Sequence, residues 1–127
     1  MAGNLTNYLE NKLLDHFLGT TAYTMPNPVY VALFTVAPGD AAGGTEVTGG
    51  SYARKTAAFT AASSGATSNS ANIDFTGMPA ATTVAIALFD AITSGNMLVH
   101  GTLTTNKTTD AGDTLRIATG DLDISID

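Results

Sequence analysis

The chain has 127 residues, no cysteine, and a net charge of −6 from eleven acidic and five basic side chains. That length suits one domain with a core of its own, and the missing cysteine excludes disulfides, thiolate catalysis and cysteine-ligated zinc. Lys12, Arg54, Lys55, Lys107 and Arg116 form no basic cluster of the kind that tracks nucleic-acid phosphates, and no apolar run nears the ~20 residues of a membrane-spanning helix.

The opening, MAGNLTNYLENKLLDHF, lacks the basic segment and unbroken apolar run of a secretory signal, so a soluble protein made in the cytoplasm is expected. Leu5, Leu9, Leu13 and Phe17 recur every four residues, with Leu14 and Leu18 widening the stripe. This predicts one amphipathic helix over about residues 4–18. Asn4 or Asn7 supplies a candidate cap, Glu10 suits the positive end of the helix dipole, and Gly19 suits a left-handed stop. The width of the stripe favours packing on the chain's own sheet over docking on a neighbouring subunit.

Two prolines in TMPNPVY force an extended entry into a strand over residues 29–36. VYVALFTV is apolar at nearly every position, which implies a central strand covered on both faces, with the helix as one candidate cover. Residues 37–51 carry five glycines and a proline, and a connection of that length points to an interaction loop. YARKTAAFTAA predicts a strand, SSGATSNSAN a polar turn, and IDF a short strand with Asp74 facing solvent. TTVAIALFDA and MLVHGTLT, joined by TSGN, read as the clearest hairpin in the chain. GDTLRIATGDLDISID alternates with period two and reads as a final strand pair. Twenty-one threonines and thirteen glycines favour the same picture of strands and tight turns. The expected fold is a single mainly β domain over residues 1–127, an antiparallel β-sandwich of jelly-roll-like character with one N-terminal amphipathic helix.

No motif carries chemistry. Asp121, Asp123 and Asp127 fall on the wet positions of an alternating strand, and an extended strand lacks the converging loop of a calcium site. His16 and His100 have no partners at metal-ligand spacing. No GxSxG elbow and no phosphate loop occurs. A carboxylate pair such as Glu46 and Asp90 is the one arrangement that could revive hydrolysis. The expectation is therefore no catalytic residue, no metal and no cofactor.

Read together and in order, NLTNYLENKLLDHFLG, YVALFT, TEVTGGSYARK, ALFDAITSGNMLVHGTL and GDTLRIATGDLDISID resemble the small tail-fibre-like virion structural proteins of tailed bacteriophages. The resemblance spans nearly the whole chain and implies a non-enzymatic virion component, assembled in the host cytoplasm as a dimer or trimer. A fibre shaft needs long repeats or heptads, and this sequence has neither. A capsid decoration or cement protein, bound to the major capsid protein, is therefore the first expectation, and a tail fibre or baseplate part is the alternative. Interface anchors are expected at Tyr52 and Arg54, residue types favoured at such contacts, with Glu46, Gly49 and Gly50 in the loop before them. The opposing reading makes Tyr52 a core residue and Arg54 a solvated one. A small sugar-binding or hydrolytic module completes the possibilities, weakened by the lack of tryptophan.

Overall fold

The computed structural model describes residues 4–126, so Asp127 lies outside the described residues. The elements in chain order are β1 (Asn4–Leu5), α1 (Asn7–Phe17), β2 (Val29–Val36), β3 (Thr45–Glu46), β4 (Lys55–Ala57), β5 (Ala66–Ser68), β6 (Ile73–Met78), β7 (Ala81–Phe89), β8 (Met97–Thr109), β9 (Asp113–Ile117) and β10 (Asp123–Ser125). The protein is mainly β with one short N-terminal helix, and its strands pair antiparallel.

The large sheet runs β1-β8-β7-β2-β3, and β4 shares the outer edge of β2 with β3. This makes β2 central, as its unbroken apolar run implies. Alternation sorts its side chains between two faces. Val31 and Leu33 join Ile86, Leu88, Leu98 and Val99 on the side of the main core. Ala32 and Phe34 join Ala85, Ala87, Phe89 and Met97 on the other, where the rings of Phe34 and Phe89 stack with centroids 6.3 Å apart. Opposite the large sheet, β6 and β9 bring Ile73, Phe75, Met78 and Leu115 onto the main core, joined by Val47 and Leu122. Two layers with one core between them are a sandwich-like arrangement.

The second half of the chain has a simple logic. The β7–β8 hairpin is flanked by the β6–β9 pair, and β5–β10 lies outside that. The three pairings are concentric, so residues 66–125 form one long antiparallel ribbon folded over the core. This is the construction principle of a jelly roll. It also corrects the expected terminal pair: β9 and β10 each pair with an earlier strand, and not with each other. Asp74 pairs with Arg116 across the β6–β9 ladder. Strand β8 runs five residues past the predicted end, through TNKTT, because threonine suits an extended chain. Its register shifts where residues 103–106 face Val84 alone, which bulges the strand outward.

The helix begins at residue 7, and its cap is Thr6 in place of the expected Asn4 or Asn7. Thr6 is buried because its hydroxyl serves two masters. It accepts from the Leu9 N–H at 3.3 Å and donates to the Met97 carbonyl at 2.6 Å, while the Thr6 N–H donates to the Leu98 carbonyl. An exposed asparagine at position 4 or 7 has no such double role. Gly19 follows the helix with φ +81, the left-handed stop its position predicts. The helix packs through Tyr8 and Leu9, with Leu5 ahead of it, at the β1 and β8 end of the sheet.

Thr6→Val keeps the shape of the side chain and removes the cap and the link to β8 together. The expected cost is about 2 kcal/mol in urea unfolding, with Thr6→Ser recovering most of it.

Candidate functional site

Residues 45–54 collect the side chains singled out in the sequence. Glu46 sits on β3, and a turn over residues 49–52, closed by the Tyr52 N–H on the Gly49 carbonyl, reverses the chain so that Tyr52 and Arg54 return beside it. Gly50 makes that turn possible: it holds φ +56, and a Cβ there would lie 2.5 Å from the Gly77 carbonyl oxygen. The Ser51 N–H donates to that same carbonyl at 2.7 Å, tying the turn to β6. Gly49 faces Pro79.

Arg54 is the centre of the arrangement. Its Nε and Nη2 donate to the two carboxylate oxygens of Glu46 at 3.0 and 2.8 Å. Its Nη1 donates to the carbonyls of Ala91 and Ser94 at 2.9 and 2.8 Å. The guanidinium lies over the Phe89 ring, 3.6 Å from the centroid, a geometry that a planar cation accepts and an ammonium fits poorly. The two side chains of the ion pair are 8% and 26% exposed, so the charges are largely removed from water and compensated within the chain.

Tyr52 completes the network. Its hydroxyl accepts from the Leu33 N–H and donates to Glu46 Oε2, both at 2.9 Å, and its ring stacks on Phe75. Burial pushes the Tyr52 phenol well above its ordinary value; the Leu33 amide and the Arg54 charge act the other way, and the Glu46 carboxylate adds to the rise. The proton that Glu46 accepts is therefore firmly held.

Glu46, Tyr52 and Arg54 thus meet, together with Ala91 and Ser94, a pair of residues that sequence reading left out. Their polar atoms bond inside the chain, and the three residues also line a shallow surface groove of about 480 Å³ together with Thr48, Gly49, Ile92 and Thr93. Arg54 is buried, and so is not the solvated strand residue of the opposing reading. A second groove of about 320 Å³ opens beside the bulge in β8, lined by Leu103, Thr104, Thr105, Lys107, Arg116 and Asp121 among others.

The remaining candidates are dispersed. Asp90 accepts from the Asn96 N–H and side-chain amide at 2.7 and 2.9 Å, and Glu46 is taken up by Arg54 and Tyr52, so each acid is committed to local structure. His100 is buried in β8 with Nε2 3.0 Å from Asp40 Oδ1, and exposed His16 accepts the Tyr23 N–H on Nδ1. Asp121 and Asp123 face solvent, Leu122 is buried, Ile124 is half-buried, and Ile126 stands exposed where an inward position was expected. Among the described residues no group of three His, Asp or Glu side chains is placed to hold a metal ion. Asp74, expected to be solvated, is part-exposed and bonded through both oxygens to Arg116, at 2.7 and 3.0 Å.

Arg54→Met leaves Glu46 without its counter-charge and is expected to cost roughly 3 kcal/mol in chemical denaturation; Tyr52→Phe should cost about 1 kcal/mol, and the double variant Arg54→Met/Glu46→Leu should be more stable than Arg54→Met alone. The Arg116 hydrogen bonds hold the Asp74 carboxyl below its ordinary value, against slight desolvation and with help from the Arg116 charge. A depressed carboxyl stabilises the fold above its unfolded value, and that contribution is lost as pH falls through the folded one. An NMR titration should find Asp74 titrating below a typical aspartate, and Arg116→Gln should return it to the usual range.

Comparison with known proteins adds one finding. A family model described as Podophage GP4 fiber I protein gp80 matches residues 4–125. No curated protein matches the chain.

Proposed function

The chain belongs to the family described as Podophage GP4 fiber I protein gp80, and from that membership we propose that it works as a compact fibre module on the tail of a podophage particle. The single observation that carries this reading is the family match, which extends from β1 to β10 and so takes in the whole sandwich. It favours the fibre alternative over the capsid decoration role expected first.

Compactness, the reason for preferring decoration, is equally at home in a globular fibre part. Among the described residues the only helix has eleven residues and no repeated strand unit appears, so in this reading the chain serves as a joint, base or tip, and other proteins supply length. Its work is non-enzymatic. Carboxylates that would serve hydrolysis are tied up by Arg54 and Asn96, which supports a structural role. Assembly in the host cytoplasm in several identical copies fits a virion part whose contacts repeat by symmetry. Contact with other virion proteins, with no nucleic acid and no membrane, agrees with the acidic surface and scattered cations.

A cryo-EM map of the purified particle tests this directly. Density fitting the sandwich on the tail is the expected result. Density at capsomer junctions would return the decoration reading, and absence from both head and tail would overturn a virion role.

A further inference from the structure

Strand β8 has thirteen residues, and only the two-residue β1 separates it from the rim of the large sheet. β1 pairs with it at Val99 and His100, and the Thr6 N–H adds a bond to the Leu98 carbonyl. From Gly101 to Thr109 no strand among the described residues runs along that outer side. The open stretch reads GTLTTNKTT, with five threonines and no proline, a composition that favours strand pairing. An edge of this kind is a template for another chain.

Two features oppose such pairing. Residues 103–106 face Val84 alone, so the bulge breaks the edge and leaves only three residues, 107–109, in ladder geometry beyond it. The other feature is Lys107. The hydroxyls of Thr82 and Thr108 meet at 3.1 Å on the exposed face of the hairpin. Thr83 and Lys107 are the neighbouring register pair, so alternation turns both to the opposite, core side. Thr83 is fully buried there, and the exposed Lys107 lines the groove between β8 and β9 with Leu33, Ile86 and Leu115. Lys107 makes no ion pair among the described residues. In the same groove Arg116 is taken by Asp74, and Asp121 is the one carboxylate among the described lining residues.

We infer that Lys107 and the bulge together guard the open edge of β8, keeping it from taking up a strand of a second copy or of any other chain. A strand added there would extend the large sheet across the mouth of the groove. The Lys107 ammonium, now in water, would be shut into an apolar slot with Asp121 as its only unengaged opposite charge, and desolvating both costs more than their attraction returns. The bulge removes the compensation, since an incoming strand finds no straight run of backbone groups long enough to hold it. The inference goes beyond the fibre reading and needs only the fold: the contacts of this chain with its neighbours do not include strand addition at this edge.

Amide hydrogen exchange and light scattering, run side by side from micromolar to millimolar concentration, test it. In the wild type, the amides of residues 104–109 that point away from β7 should exchange as fast at the highest concentration as at the lowest. Lys107→Val and Lys107→Thr, two uncharged variants that suit a strand, should keep the circular dichroism spectrum when dilute. On concentration they should gain mass, and those amides should slow by about tenfold or more. Lys107→Arg, which retains the charge, should match the wild type, as should Lys12→Gln, which removes the same charge from the helix. Wild-type amides that slow on concentration would show the edge in use and overturn the inference. So would uncharged variants that behave as the wild type does, or that associate while the 104–109 amides still exchange fast.

Discussion

Arg54 donates to the carbonyls of Ala91 and Ser94, and Asp90 takes two hydrogen bonds from Asn96; between them these contacts fix the apex of the ribbon formed by β5 to β10. The pairings are concentric, so the register chosen at that apex is inherited by β7–β8, then β6–β9, then β5–β10. Side chains alternate with period two, and a slip of one residue would exchange the faces of every strand. Ile86 and Leu88 would leave the main core and Ala85 and Ala87 would enter it, replacing large side chains with small ones. A buried guanidinium resists such a slip because it cannot be left without partners. The clamp therefore acts on pairing far beyond its own contacts.

Local signals were legible in the sequence, and distant partnerships were not. The four-residue recurrence of leucines located α1, VYVALFTV marked a central strand covered on both faces, and TSGN located the apex turn. What escaped was the identity of partners. GDTLRIATGDLDISID reads as two adjacent strands, and adjacent strands usually pair; nothing within the segment says that Ile117 faces Ile73 and that Asp123 faces Ser68. Those choices follow from nesting, a property of the whole second half. The helix cap failed for a related reason. Asn4, Thr6 and Asn7 are all chemically suited, and Thr6 is selected by the carbonyls of Met97 and Leu98, some ninety positions away.

The tyrosine and arginine after the glycine-rich loop illustrate a deeper ambiguity. Both residue types anchor contacts between proteins because they combine a flat apolar surface with directional donors. The same properties suit an internal clamp that stacks on Phe89 and bonds to carbonyls. Composition is identical in the two cases, and only the position of Glu46, turned back by Gly50, distinguishes them. The loop thus reads as an outward feature in sequence while much of its chemistry is spent inward.

One property of the clamp reaches beyond stability. Arg54 grips the apex through peptide oxygens, which every residue type carries, while Ile92 and Thr93 between those oxygens point their side chains into an exposed stretch. Drift at positions 92 and 93 therefore leaves the grip untouched. The turn can therefore change the side chains it presents to solvent while the register that the clamp sets stays as it is.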